Sequence, residues 1–384
     1  LMVIFSLFIG LSTATGMYVA SCLGGKKFSQ ARFYYSNAFT MVLVFSLLFS
    51  VALYFLLNGI LNLLGLKGLT RIFAYQYLSI AVLGLIFNFL FTLNNSVLRS
   101  NAMPNLVVRV MVLTNVLNTI FDPLFMFYLK LGIRGAALST IVSILIGICL
   151  QVKFLHNNGY CFKFVVRKKI VLKLVNKGIF ASLHLFFRIV SMLVLIRLVS
   201  GFSQVALSAY SIVIRIYQVL LFLVFGLANT SFVIVGQNYG AKLIGRIKEG
   251  AFWVLAMGLV FIGVLDVLIY AFKGLILAVF VSDPLVKRVA FRVMFFYFVS
   301  YPFVVLATVS ARSSMALHDT KRPSLINLFN LWFFMIPLAY LLSRYYGLDG
   351  IWFSIALSNF TSFLANVALL VFNLKRVENE IVSV

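Results

Sequence analysis

GLSTATGMYVASCLGGKK, Gly10 to Lys27, returns further along the chain as GLANTSFVIVGQNYGAK, Gly226 to Lys242. Gly10 aligns with Gly226, Gly24 with Gly240 and Lys26 with Lys242, all at an offset of 216. A second pair keeps nearly the same register. LGIRGAALS, around Gly132 and Gly135, returns as YGLDGIWFS, around Gly347 and Gly350, at an offset of 215. Pro104 and Pro323 mark equivalent turns, a few residues out of step. The chain therefore reads as two copies of one plan, and what lies between the repeated motifs decides what that plan is.

Most of it is apolar. Of 384 residues, 63% are hydrophobic and only 10% are charged, against about 25% charged in an ordinary soluble domain. Mean hydropathy is +1.09. A membrane-crossing helix takes roughly 20 to 22 residues, so the apolar content fills about eleven helices and leaves little for a soluble domain. These figures exclude a soluble enzyme, a nucleic-acid-binding domain and a disordered chain. An outer-membrane barrel is excluded too, because its strands alternate apolar and polar residues. The expected fold class is an all-α polytopic membrane protein made of two pseudo-symmetric helical bundles. Cys22, Cys149 and Cys161 are too few and too scattered for a disulfide framework or a metal site.

Apolar runs give spans near 1–22, 38–57, 73–97, 106–129 and 134–155, then 179–200, 205–238, 250–272, 289–312, 324–343 and 349–374. Between the two sets, 156–178 carries Lys163, Arg167, Lys168, Lys169, Lys173 and Lys177 and reads as a basic linker. The domain reading is a first lobe at 1–155, the linker at 156–178, a second lobe at 179–376 and a tail at 377–384. Gly226 is preceded by a whole span and about twenty residues of its own helix, whereas only nine residues precede Gly10. The repeat thus predicts twelve helices, six per lobe, in the intact protein, with eleven present here. Two such bundles are a common plan in secondary transporters.

The net charge of +24 is unevenly placed. Twenty basic residues fall on the linker's side of the spans, among them Lys26, Lys27, Arg32, Lys242, Arg312 and Lys321, and nine on the other. The positive-inside rule then puts the linker and the C-terminus in the cytoplasm of a cell-membrane protein.

Only eight acids exist. Glu249, Asp283, Asp319, Asp349, Glu378 and Glu380 fall in loops or at the tail, while Asp122 and Asp266 lie inside spans. An ionisable residue at membrane depth is costly and is a functional candidate by default. Asn115, Asn118 and Asp122 are spaced i, i+3, i+7 and share one helix face. Thr119 is close by, and Pro123 lacks the N–H that would bond the carbonyl one turn back. Ser139, Thr140 and Ser143 offer hydroxyls in the next span, and Asn88, Thr92 and Asn95 form a stripe in the preceding one. Such oxygens suit a hard cation. A buried carboxyl at Asp122 also suits a proton. The plainer alternative is that Asp122 pins two helices together. Asp266 stands alone among Val264, Leu265, Val267 and Leu268 and reads as a capping or pairing residue near the outer helix end.

Arg188, Arg197 and Arg215 also lie within spans, with His184 one turn before Arg188. A basic cavity lined by Arg188, His184 and Arg215, with Tyr217 and Tyr297 available for stacking, would suit an anionic or zwitterionic substrate. The plainer alternative sets these arginines near helix ends against lipid phosphates.

GLSTATGMYVASCLGGKKFSQA, NTIFDPLFMFYLKLGIRGAALST, GLANTSFVIVGQNYGAKLIGRIKEGA and HDTKRP together resemble the multidrug and toxic compound extrusion (MATE) family. The resemblance covers residue 1 to about 375. It implies two six-helix lobes around a central cavity and exchange of Na⁺ or H⁺ for organic, often cationic, compounds. The family's first-lobe cation site uses an Asn and an Asp one turn apart and a Thr in the next helix, roles that fall on Asn118, Asp122 and Thr140. Asn115 and Asn95 are further candidates for that site. Some members carry a Glu in the helix that here holds Arg188, and an Asp in the helix FFYFVSYPFVVLATVS, which here has no acid. Coupling is therefore expected at Asp122, in the first lobe.

The expected function is a multidrug antiporter working by alternating access, with Na⁺ or H⁺ as coupling ion and no other cofactor or metal. Its partners would be a small organic substrate and the lipid bilayer, with no nucleic acid and a monomeric chain. The rivals are a flippase for lipid-linked oligosaccharides with a basic cavity, and a membrane receptor that transports nothing. An intramembrane enzyme is disfavoured, because His184 has no evident acid, Ser or Cys partner.

Overall fold

A computed structural model describes residues 2–63, 65–161 and 164–382. Lipid offers no hydrogen bonds to a backbone, so long apolar runs satisfy their own N–H and C=O groups as helices. The helices are α1 (Met2–Gly24), α2 (Phe28–Leu63), α3 (Gly68–Leu83), α4 (Leu85–Ser100), α5 (Pro104–Pro123), α6 (Ile133–Asn157) and α7 (Lys168–Ser200). Then follow α8 (Gln204–Gly240), α9 (Ile244–Ala271), α10 (Lys273–Phe280), α11 (Pro284–Ala316), α12 (Lys321–Phe329) and α13 (Ile336–Val382). Single π-helical turns extend α5 over Leu124–Tyr128 and join α12 to α13 over Asn330–Met335.

Eleven spans can be counted among the described residues. Eight helices are long and apolar enough to cross a membrane, and α3 with α4 makes a ninth span bent by 46°. Phe8–Gly24 is a shorter apolar helix. The continuous run Lys321–Ile381 has 61 residues, which at 1.5 Å per residue is about 90 Å, some three times the hydrocarbon thickness. Gly347, at φ 59° and ψ −138°, breaks it into two.

The chain divides into two compact units, one of Leu7–Ile179 and one of Leu1–Ser6 with Phe180–Val384. In the N-terminal unit, α1 meets α4 through small residues. Ser96 Oγ donates to the Ser12 carbonyl at 2.7 Å, and Ser100 Oγ to that of Gly16 at 2.9 Å. Large apolar side chains such as Leu48 and Phe55 of α2 are exposed, as lipid-facing positions must be. In the C-terminal unit, α8, α9 and α11 pack around Tyr210, Tyr217, Met294 and Trp352.

The repeat is written in the backbone. Lys26 and Lys242 both have positive φ, 56° and 59°, at an offset of 216. Ala102 and His318 repeat this at 57° and 65°, and Gly132 and Gly347 at 55° and 59°. The span around 73–97 is one place where the two copies differ. It is bent at Gly84, whereas its counterpart α11 runs on through Pro302 as one helix.

The basic stretch 156–178 is mostly helical. Lys168, Lys169, Lys173 and Lys177 lie on α7, leaving 158–167 as the connection between helices; Lys163 lies outside the described residues. The connection is tied to α2. The Arg167 amide donates to Asn37 Oδ1 at 2.7 Å, and its guanidinium lies 4.5 Å from the Phe33 ring. Arg312, grouped above with loop charges, is part of α11.

Candidate functional site

The site in the N-terminal unit is built by the way α5 ends and α6 begins. Pro123 withholds an N–H from the Thr119 carbonyl, and the helix widens into the π-turn that follows. Gly132 then takes a positive φ that side chains disfavour. One turn later Gly135 lies against the π-turn, where a Cβ would stand 2.6 Å from the Phe125 carbonyl carbon and 2.8 Å from the Met126 nitrogen. This close approach sets Ser139 and Thr140 opposite Asn118 and Asp122.

Asn118 and Asp122 are one turn apart, so they share a face. Asn118 Nδ2 lies 3.3 Å from Asp122 Oδ1, 3.2 Å from Ser139 Oγ and 3.3 Å from Thr140 Oγ1. Ser139 Oγ also donates to Asp122 Oδ1. Ser139 is fully buried and Asp122 half-buried. The result is a carboxylate held by an amide and a hydroxyl, with a second hydroxyl adjoining, a compact set of oxygens between two helices.

The C-terminal unit joins the corresponding helices through a different residue, Asn330, which aligns with Asn115 at the offset of 215. Asn330 Nδ2 donates to the carbonyl and hydroxyl oxygens of Ser358, both at 2.9 Å, and Asn330 Oδ1 accepts from Thr361 at 2.7 Å. Gly350 lies against the Leu342 backbone as Gly135 lies against Phe125. Thus each half joins these helices by an Asn and hydroxyls, and at the offset of 215 the positions of Asn118 and Asp122 are taken by Phe333 and Pro337.

The comparisons with known proteins agree with this architecture. The MatE family's sequence profile matches residues 1–124 and 181–341. The chain belongs to the MatE family. YpnP of Bacillus subtilis, described as a probable multidrug resistance protein, is 27% identical over 375 residues, covering 92% of this chain and 80% of its own length. An FAD transporter of Shewanella oneidensis is 23% identical over 367 residues, covering 93% and 81%. The crystal structure of the Vibrio cholerae MATE transporter VcmN in the bent form superposes with a TM-score of 0.92 at 22% identity, over 98% of this chain and 86% of that one.

Other residues of this MatE chain fall outside the Asp122 clasp. Asn95 Oδ1 accepts from Gln151 Nε2 at 2.9 Å. Gln151 is twelve residues beyond Ser139, about 18 Å along α6, so Asn95 is not part of the Asp122 group. Asn115 is exposed and makes no bond to the clasp. The sequence stripes fixed the helix faces of these residues but not their partners.

In the C-terminal unit the structure gathers some of the predicted basic and aromatic residues and separates others. The Arg188 guanidinium lies 5.4 Å from the Phe225 ring, and its charge acts on His184, Tyr297 and Tyr301. Arg312 also acts on His184, whose Nδ1 is buried without a hydrogen-bond partner. Tyr217 is a core residue, 2% exposed, its ring tilted against those of Tyr297 and Tyr301 at centroid distances of 4.9 and 5.1 Å, so it is not an open lining position. Arg215 is exposed and has no described contact with Arg188.

Asp266 is the residue the sequence reading undervalued. It neither caps a helix nor pairs with a charge. It is 1% exposed, and both carboxyl oxygens are buried without a hydrogen-bond partner. Its repeat partner 216 residues earlier is Ser50, a hint that the position is turned inward.

Proposed function

We propose that this chain is a secondary active efflux transporter that exchanges Na⁺ or H⁺ for organic compounds by alternating access of two lobes, with coupling at Asp122. The Asp122–Asn118–Ser139–Thr140 clasp carries the proposal. It sets an ionisable group at a junction of two helices, where adding a positive charge changes the hydrogen bonds that join them. A Na⁺ at Asp122 would recruit hydroxyl oxygens of Ser139 and Thr140, the Asn118 amide turned to present its oxygen, and the Thr119 carbonyl that Pro123 leaves without its helical donor. A proton would instead occupy the carboxyl itself and remove its demand for donors. Either event repacks α5 against α6 and lowers affinity for the exported compound. The names of relatives such as YpnP support a multidrug substrate range.

Efflux by the full-length protein tests this. Asp122→Asn, which keeps the shape and removes the charge, should abolish cation-dependent efflux, and unchanged efflux would sink the coupling role. Repeating the assay at varied Na⁺ and varied pH separates the two ions. The basic linker and C-terminal helix are assigned to the cytoplasm, on the charge bias of the loops.

One observation favours a second reading. Arg188 has no carboxylate partner among the described residues, and such a charge suits an anionic substrate, such as the phosphates of a lipid-linked oligosaccharide carried by a flippase. Accumulation of lipid-linked precursor on depletion, with unaltered drug tolerance, would select that reading over the drug antiporter.

A further inference from the structure

Asp266 is buried in α9, and the groups around it define what it can bind. From α8, Tyr217 lies beside it, and from α11, Tyr301 is close enough for its phenol to feel the carboxylate. Tyr297 extends the aromatic group toward Arg188. Among the described residues no cation pairs with it. Lys273 of α10 is taken up over the Tyr270 ring at 3.6 Å. On α11 and α13, Arg292 and Asp349 pair with each other at 2.7 Å.

The direction of the Tyr217 hydroxyl is informative. It donates to the Met294 carbonyl at 3.4 Å. A phenol has one proton to give, so only its oxygen lone pairs remain for Asp266. In this arrangement neither oxygen of the carboxyl receives a hydrogen bond. An ionised carboxylate in these apolar surroundings, with neither donor nor countercharge, is costly.

We propose that Asp266 is a proton-binding site of the C-terminal unit, joined to α8 and α11 through Tyr217. With the proton bound, Asp266 makes no demand on Tyr217, which donates to the Met294 carbonyl. When the proton leaves to water, the Tyr217 hydroxyl turns to the carboxylate and releases Met294. The Tyr301 hydroxyl, which donates to the Tyr217 carbonyl at 3.0 Å, stays in place and holds α8 to α11 through the change. The bond of Tyr217 to Met294 is thus present in one protonation state and absent in the other. A metal cation is disfavoured, since it would need several oxygen ligands and Tyr217 supplies one. This site is independent of Asp122 and stands whether or not coupling occurs there.

The test is infrared difference spectroscopy of the full chain in lipid, between acid and alkaline pH. The wild type should show the carbonyl stretch of a protonated carboxylic acid, lost in Asp266→Asn and kept in Asp122→Asn. Tyr217→Phe, which removes the donor that would meet the ionised carboxylate, should keep that band to higher pH. A band unaltered in Asp266→Asn, or lost at the parent's pH in Tyr217→Phe, would overturn the proposal. So would loss of the band in Asp122→Asn alone.

Discussion

The clasp between α5 and α6 allows its contribution to be worked out bond by bond. Asn118→Ala removes an amide that reaches three oxygens, at 3.3, 3.2 and 3.3 Å. Its two hydrogens make at most two bonds at once. Interhelical hydrogen bonds in membranes average about 0.6 kcal/mol each, so the loss is about 1.2 kcal/mol, or about sevenfold in the opening equilibrium at 1.4 kcal/mol per tenfold. The three tryptophans, Trp253, Trp332 and Trp352, all lie in the C-terminal half and report poorly on this. Cys22 is better placed, buried in α1 of the N-terminal unit, while Cys149 and Cys161 are exposed. With Cys149→Ser and Cys161→Ser in place, Cys22 labelling under conditions of fast reclosing follows the opening equilibrium. Asn118→Ala should raise the labelling rate about sevenfold. A rate within twofold of the parent would refute the clasp as a stabilising contact.

Two further perturbations follow from the packing. Gly135→Ala would place a methyl 2.6 Å from the Phe125 carbonyl carbon, an overpacking that costs about 1–3 kcal/mol; thermal unfolding in detergent should show it, and Gly226→Ala, where nothing lies within 4 Å, should not. Tyr160→Phe removes the bonds between Tyr160 and Asn101 at 3.1 and 3.2 Å and should cost about 1 kcal/mol. Burial pushes the Tyr160 phenol above its ordinary value of 10, partly opposed by the Asn101 bond. The folded state therefore holds that proton more tightly. Its contribution is intact below the unfolded value and is lost as pH rises through the folded one. Alkaline unfolding of Tyr160→Phe should accordingly be less steep than that of the parent.

How far the molecule could be read from sequence depends on what lipid hides. The repeat at Gly10 and Gly226 recurs in the backbone, because turns and helix starts need particular backbone angles wherever they occur. Lys26 and Lys242 show this with their shared positive φ. The spacing of Asn118 and Asp122, with Thr140 in the next span, indicated residues that do meet. Asn95 did not follow, because helical periodicity gives a face and not a depth, and its partner Gln151 is far along α6. Asp266 was read as a capping or pairing residue for a related reason. In a soluble helix an apolar stripe marks the inside, but here lipid and protein interior are equally apolar. A lone Asp among Val264, Leu265, Val267 and Leu268 gives no sign of which way it points. The bend at Gly84 and the π-turns were equally silent, since both are settled by contacts with neighbouring helices, such as that of Gly135 with Phe125.

The central claim is that a cation at Asp122 drives movement of substrate. Its most direct measurement is substrate flux in proteoliposomes under an imposed Na⁺ gradient and, separately, an imposed proton gradient. The parent chain should move substrate against its own gradient with one of the two. Asp122→Asn should bind substrate yet fail to concentrate it under either. Accumulation by Asp122→Asn equal to that of the parent would contradict the account.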